Sequence, residues 1–300
     1  PHLITTHVCS DWRRTLQFRQ LFDLPGHTHW AGDAYRSERI HMADQMRAHG
    51  QFLQHVMKPV LATEFGGTAS SADYAKVTGD IHSGLWSSLF SHQAGTPFLW
   101  WHDYIYICNH FQHYSGFAAF LQGLDLRKPA LQSFPETEVL PFAPDAPEAL
   151  PDFTRPNWPD RIQKSDRKVC PESSELAAIP PWPLRRYRSA ASSFPGKNSS
   201  FDAMSAGSPD MLIGWIFRRE AVYEYPEYPE IYAPASGLAI RLPAMLAPGL
   251  WEVTFHDTMT GETTGTFRFR RVNNTSQIMP IPPFRLDLAF KLRRIEGSVK

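Results

Sequence analysis

KPVLATEFGG, residues 58–67, is the stretch that decides the fold of this chain. Three apolar residues, Val60, Leu61 and Ala62, follow a proline, and one carboxylate, Glu64, stands shortly before two glycines. Strands buried in parallel sheets are short apolar runs, and α/β barrels keep their catalytic side chains at the carboxyl ends of such strands. The stretch therefore predicts a buried parallel strand with Glu64 at its carboxyl end, rather than a surface carboxylate that caps the next helix.

A second strand is predicted at Gly95–Ile105, about 30 residues further along the chain. It carries Trp100, Trp101, His102 and Asp103 toward the end at which the first strand presents its carboxylate. Neighbouring side chains on a strand point to opposite faces, so one tryptophan is expected to line a site and the other to pack outward against helices, rather than both packing in the core. Trp101 is favoured for the site because it shares a face with Asp103. A carboxylate beside aromatic side chains is typical of a sugar site.

Residues 1–130 alternate short apolar runs with helical patterns, which indicates strand–helix units around a parallel sheet. The predicted strands are Leu3–Val8, a strand ending near Tyr35, Lys58–Glu64 and the strand of the two tryptophans. Four helices are predicted between and after them: residues 11–21, a helix of about 20 residues that follows Tyr35, a helix capped near Ser70 or Ser71 that carries Val77, Ile81 and Leu85, and residues 111–123. A complete barrel of eight units takes about 250 residues. Four units therefore predict half of a barrel.

Residues 131–300 have a different pattern, beginning with a proline-rich, partly irregular segment from Phe134 to about Asp210 in which no elements are placed. Alternating apolar residues and turns follow, and they predict strands at residues 212–217, 237–242, 250–256, 263–270 and 284–292. Strands at this spacing are typical of an antiparallel β-sandwich. The predicted fold class is α/β plus all-β, with a half-barrel followed by a sandwich.

Charge and hydropathy exclude several classes of partner. The chain has 30 basic and 30 acidic residues, so its formal net charge is zero and neither a nucleic acid nor a membrane surface is expected to bind it. No apolar run approaches the length of a membrane span. Because the chain begins at Pro1 without a methionine, we expect it to be a fragment or a processed product, and a signal peptide on a missing part would not be visible.

The cysteines and histidines predict no metal site or cofactor. Cys9, Cys108 and Cys170 are far apart and form no Cys-x-x-Cys pair, which favours buried free thiols over a disulfide. His110 and His113 stand three residues apart at a predicted helix start, where a solvated helix end is favoured over a zinc site.

Together, the motifs resemble clan A glycoside hydrolases, and more closely a cellulase-like family in which a (β/α)8 barrel precedes a small β-sandwich. The first part of the resemblance rests on KPVLATEFGG and on HSGLWSSLFSHQAGTPFLWWHDYI, residues 82–105. The second part rests on GWIFRRE, residues 214–220, GLWEVTFHDTMTGETTGTF, residues 249–267, and IPPFRLDLAFKL, residues 281–292, which look like the appended sandwich, sometimes labelled a collagen-binding domain.

The resemblance implies roles for individual residues. Glu64 falls on the family's nucleophile at the end of the seventh barrel strand, while Trp100, Trp101 and Asp103 fall on the eighth, where an aromatic side chain lies under the sugar. His102 stands where relatives often carry another aromatic residue.

The sixth strand of the family often ends His-x-Tyr, which Tyr35 matches, although Asp33 replaces the histidine. The family's acid/base glutamate lies in an Asn-Glu pair on the fourth strand, and no Asn-Glu occurs in this chain.

The resemblance thus implies a retaining glycoside hydrolase that acts on a poly- or oligosaccharide and needs no cofactor, with this chain as its C-terminal part. The acid/base residue would come from a missing N-terminal half on the same or a separate chain; a second copy of this chain could also close the barrel. The resemblance further implies a secreted or cell-envelope protein. The alternative is a non-catalytic carbohydrate-binding or structural assembly protein that keeps the half-barrel as a scaffold.

Overall fold

The computed structural model describes residues 7–8, 30–36, 41–53, 59–67, 74–91, 93–95, 98–100, 102–126, 131–134, 137–142, 200–223, 232–272 and 277–296. The fold is mixed α/β and consists of two compact units. Of the described residues, the first unit holds those up to Phe111 together with Tyr223, and the second unit holds the others. No helix in the described ranges is long and apolar enough to cross a membrane.

The first unit contains a four-stranded sheet whose neighbouring strands are all parallel and follow the order of the chain. Its elements are β1 (His7–Val8), β2 (Trp30–Arg36), α1 (Met42–Leu53), β3 (Val60–Gly67), α2 (Tyr74–Leu89), β4 (Phe98–Leu99) and α3 (His102–Ile107). Helices α1 and α2 connect successive parallel strands, which is the arrangement of α/β folds. The predicted helix at residues 11–21 lies outside the described residues.

The apolar stripes of the sequence form the core of this unit. Val77, Ile81 and Leu85 of α2 are buried, as are Met42, Ala43 and Met46 of α1. Gly84 of α2 lies directly against the ring of Phe65, so a side chain at position 84 would collide with that ring. The predicted helices after Tyr35 and after Ser71 are therefore confirmed, and α2 packs against the carboxyl end of β3.

The strand predicted at Gly95–Ile105 is wrong over most of its length. Strand β4 contains two residues, and His102 and Asp103 begin helix α3 instead of continuing the strand. The aromatic and apolar residues of this segment suit either structure, but Asp103 in the first turn stabilises a helix through the positive end of its dipole. Asn109, in the left-handed region with φ 52°, follows the end of the helix.

The prediction of free thiols is wrong for Cys108, which is disulfide-bonded in the structure. The other two cysteines, Cys9 and Cys170, lie outside the described residues. Wide spacing along the sequence favoured free thiols, but spacing in sequence does not limit which cysteines meet in the fold.

The second unit contains two antiparallel sheets. The elements of this part of the chain are α4 (Phe111–Leu121), β5 (Gln132–Ser133), β6 (Val139–Pro141), β7 (Phe201–Ser208), β8 (Met211–Arg218), α5 (Arg219–Tyr223), β9 (Leu238–Leu242), β10 (Gly249–His256), β11 (Thr263–Arg271), β12 (Gln277–Ile281) and β13 (Asp287–Glu296). The larger sheet has the strand order β11-β10-β13-β8-β7-β5 and the smaller one the order β12-β9-β6. Side chains of both sheets, including Ile240 and Met279 from the smaller one and Ile216 and Val253 from the larger one, form one core cluster.

Four strands of this unit, β5, β6, β7 and β12, were not predicted, and the two longer ones, β7 and β12, show the reason. β7 is buried along almost its whole length, so its residues do not alternate between apolar and polar. β12 contains Pro280, which argues against a central strand, and the structure places β12 at a sheet edge, where proline is tolerated. The assignment of the two units to a half-barrel and a sandwich stays a prediction.

Helix α4 packs within the second unit. Gly116 lies against the backbone of Thr258 and Met259, and the ring of Phe120 meets His256 edge-on with ring centroids 5.3 Å apart. Lys291 lies over the Phe120 ring, 4.7 Å from its centroid. The domain boundary predicted at residue 130 stays a prediction, and these contacts associate α4 with the later part of the chain.

Candidate functional site at the carboxyl end of strand β3

Glu64 lies near the carboxyl end of β3, between residues of the two neighbouring strands. It is in register with Asp33 of β2 and with Phe98 of β4. Adjacent strands run about 4.8 Å apart, so this register places the three residues side by side across the sheet. Glu64 is partly exposed and Phe98 is 56% exposed.

The burial of the next residue shows which face of the sheet Glu64 shares. Phe65 is fully buried against Gly84 of α2, and its register partner Leu99 is also fully buried. Because side chains alternate along a strand, Glu64 and Phe98 belong to the opposite face from these two. The carboxylate and an exposed aromatic ring are therefore on the face of the sheet that α2 does not cover.

A bulge in β3 precedes Glu64. The pairing with β2 passes from Gly32–Ala62 directly to Asp33–Glu64, so Thr63 is an extra residue on β3. Bulges of this kind redirect the side chains that follow them and are frequent beside active sites.

The turn after β4 carries further residues of the predicted site. Trp100 is 50% exposed, and its backbone N–H donates to the carbonyl oxygen of Phe65 at 3.0 Å. The Nδ1–H of His102 donates to the carbonyl oxygen of Trp100 at 3.2 Å, and the His102 ring lies 6.2 Å from that of Phe98. His102 Nε2 is 3.4 Å from Asp103 Oδ1, and both side chains are exposed.

The remaining predicted residues are described in part. Tyr35 is in register with Gly66, at the same end of the sheet as Glu64, and Trp101 lies outside the described residues. The structure thus places Tyr35, Glu64 and Trp100 at the carboxyl ends of neighbouring strands, and His102 and Asp103 follow Trp100 closely in the chain. The functional roles of these residues stay predictions. Phe98 was missed, although its position two residues before Trp100 on a strand was a usable signal.

His110 and His113 do not belong to this site. His110 and His113 are both buried, so the prediction of a solvated helix end is wrong. His110 Nε2 is 3.3 Å from Thr78 Oγ1, and burial lowers the pKa of His110 to about 4. Within the described part of the chain, no group of three or more histidine, cysteine or acidic residues is arranged to hold a metal ion.

Comparisons with known proteins gave limited results. No family model matches this sequence, and no curated protein matches it. One similar solved structure is described as a glycoside hydrolase, with 11% identity and a TM-score of 0.45. Another is a glycoside hydrolase family 5 protein from Bacteroides vulgatus ATCC 8482, with 11% identity and a TM-score of 0.47.

Each of these similarities covers 99% of this chain, which spans 58% of the first protein and 56% of the second. At such identities and TM-scores, neither similarity establishes a family or an activity for the chain.

Proposed function

We propose that this chain is the C-terminal part of a retaining glycoside hydrolase that acts on a poly- or oligosaccharide. The observation that carries the proposal is the position of Glu64. It stands near the carboxyl end of a parallel strand, on the face away from α2, in register with the exposed ring of Phe98. Catalytic residues of α/β barrels occupy this position.

In this proposal, Glu64 is the nucleophile. Its carboxylate attacks the anomeric carbon, the bond to the leaving oxygen breaks, and a covalent glycosyl-enzyme forms. A second carboxyl group about 5–5.5 Å away protonates the leaving oxygen and then removes a proton from the attacking water. The resemblance implies that this second group comes from a barrel strand that the present chain lacks.

The aromatic residues suit the sugar. Phe98 and Trp100 present exposed ring surface to which the apolar face of a pyranose can bind. His102 and Asp103 add exposed hydrogen-bonding groups immediately after them, which suits the hydroxyl groups around the same ring. This combination supports a carbohydrate rather than an apolar or phosphorylated substrate.

The sheet of the first unit supports the proposed completion by further polypeptide. Among the described strands, β1 and β4 each have a sheet neighbour on one side only. A barrel closes because every strand pairs on both sides. We propose that an N-terminal half-barrel, on the same or a separate chain, pairs along these two edges.

We also propose that the protein is secreted or belongs to the cell envelope. The disulfide at Cys108 supports this location, because disulfides persist in oxidising compartments and are rare in reducing ones.

The test is the Glu64→Gln variant in the natural full-length protein, assayed on 4-nitrophenyl glycosides and on soluble polysaccharides. The amide preserves shape but removes the nucleophilic charge, so we expect hydrolysis to fall by about 1,000-fold or more while folding is retained. Glu138→Gln is the matched control, because Glu138 is an exposed glutamate of the second unit whose carboxylate pairs with Arg241.

A rescue experiment assigns the role more closely. In Glu64→Ala, azide can enter the vacated space, form a bond to the anomeric carbon and release the nitrophenolate, which gives a glycosyl azide of inverted configuration. Near-normal hydrolysis by Glu64→Gln would disprove the assignment. Polysaccharide binding without hydrolysis in the native full-length protein would instead support the non-catalytic alternative.

A further inference from the structure

We propose that Gln93 is a positioning residue, which keeps Glu64 on the site face by holding the bulge of β3. This inference rests on the proposed function for the role of Glu64. Gln93 lies between α2 and β4, and its side-chain amide links β3 to α1. No sequence motif pointed to this residue.

The hydrogen bonds of Gln93 have a fixed direction. The backbone N–H of Ala62 can only donate, so the Gln93 oxygen, 3.0 Å away, is the acceptor. The amide nitrogen then faces Nδ1 of His49 at 2.8 Å and donates to it. His49, which is fully buried on α1, must accept at Nδ1 and therefore carries its proton on Nε2 as a neutral ring.

The bond to Ala62 falls at the bulge itself. Ala62 is the last residue paired before the extra residue Thr63, and Glu64 is the first residue paired after it. The burial pattern shows the same irregularity. In a regular strand every second residue is buried, but here Ala62 and Phe65 are both buried although they are three residues apart. Gln93 thus holds the backbone at the residue where the register of β3 changes.

A shift of register at this point would change the site. Side chains on a strand alternate, so moving the pairing by one residue exchanges the residues on the two faces. Without the bulge, Thr63 would pair with Asp33, and Glu64 would pair with Ala34 of β2 instead. The link from α1 through Gln93 to Ala62 opposes this shift.

The experiment compares Gln93→Ala, Gln93→Glu and Gln45→Ala. Glutamate keeps an oxygen that can accept from Ala62, and its second oxygen can accept from Nδ1 of His49 when the ring carries its proton there, whereas alanine removes both contacts. Gln45 is a buried glutamine of α1 whose side-chain nitrogen has no hydrogen-bond partner, so it controls for the loss of a buried amide. Amide hydrogen exchange at Ala62 is measured in all three variants, and kcat and KM are measured in the full-length protein.

We expect Gln93→Ala to lose the exchange protection at Ala62 and to lower kcat by about 100-fold with little change in KM, because a displacement of about 1 Å costs that much. Gln93→Glu should retain the protection and most of the activity, and Gln45→Ala should behave like the native protein in both measurements. Equal losses in Gln93→Ala and Gln45→Ala would overturn the proposal, as would unchanged protection or unchanged kcat in Gln93→Ala.

The two proposals fail in different ways. If Glu64→Gln hydrolyses normally, the proposed function is wrong whatever the exchange data show. If Glu64→Gln is inactive but Gln93→Ala retains both protection and kcat, the nucleophile stands and the positioning role of Gln93 is wrong.

Discussion

Glu64 and Thr63 are neighbours on β3, and the bulge decides which of them is in register with Asp33 of β2. The exposed aromatic surface beside Glu64 also depends on residues that are close to it in the sheet. Trp100 follows Phe98 by two residues, and its backbone N–H bonds to Phe65, the residue directly after Glu64. The position of the exposed indole is thus coupled to the strand that carries the proposed nucleophile.

A substitution of Trp100 tests this surface. Trp100→Ala should weaken binding of a soluble oligosaccharide about tenfold, or about 1.4 kcal/mol, because aromatic area against the sugar is lost. The free energy of unfolding of this variant should change little, since Trp100 is already 50% exposed. Isothermal titration calorimetry measures the affinity, and Phe111→Ala is the control, because Phe111 is 51% exposed but belongs to neither β3 nor β4. Equal losses in both variants would argue against a sugar surface at Trp100.

Helix α4 shows how one element depends on close backbone approach. Gly116 faces the turn Asp257–Gly261 that joins β10 to β11, and Gly261 of that turn approaches Ala119 and Phe120 of the helix. The end of the helix is also held, because Arg293 donates from Nη2 to the carbonyl oxygen of Gly123 at 3.0 Å. Cations at this position complement the negative end of the helix dipole.

Replacing the glycine of this contact reverses the usual effect of a substitution. In an exposed helix, glycine to alanine stabilises by about 1 kcal/mol, whereas Gly116→Ala should destabilise the second unit by about 1–3 kcal/mol. The reason is that the new methyl group would overlap the backbone of Thr258 and Met259. Urea denaturation measures the change. Gly265→Ala, with open space at its Cβ position, should have little effect, and a stabilised Gly116→Ala variant would contradict the packing of α4.

At the scale of the whole molecule, each compact unit contains a buried neutral histidine. Burial lowers the pKa of His110, in the first unit, to about 4. Burial also lowers the pKa of His256 to about 4, with Lys291 and Arg293 adding to the effect and the bond to the Gly261 carbonyl opposing it. The Nδ1–H of His256 donates to that carbonyl at 3.1 Å, which leaves Nε2 to accept from Thr254 Oγ1 at 3.0 Å.

Both units should therefore lose stability in acid. An unfolded histidine has a pKa near 6.5, so between about pH 6.5 and 4 the unfolded chain binds more protons than the native one, and stability falls as the pH decreases. Above about pH 6.5 the histidine is neutral in both states, and no stability is lost. Between about pH 6.5 and 4, each histidine lowers the free energy of unfolding by at most about 3 kcal/mol. Urea midpoints at several pH values measure this loss.

His256→Gln should flatten the acid dependence of the second unit, whereas His102→Gln, at an exposed histidine, should leave it unchanged. An acid dependence that is equally steep in His256→Gln and in the native protein would show that other groups control it.

Several features could be predicted from sequence because they depend on local pattern. The run KPVLATEFGG predicted β3, and apolar spacing predicted α2, because burial on one face leaves a period in the sequence. The position of Glu64 near a strand end followed from the same run. The end of β4 could not be predicted, since the residues around Trp100 suit either a strand or a helix and the ladder ends where α3 begins.

Tertiary structure decided the features that depend on contacts between distant residues. The bulge at Thr63, the bond from Ala62 to Gln93 and the disulfide of Cys108 have no local signature, because each partner comes from another element or another part of the chain. The burial of β7 along its length and the packing of α4 in the second unit depend likewise on what covers them. By itself the sequence determined which side chains could form a site, and only the packing of strands and helices decided which of them share a face.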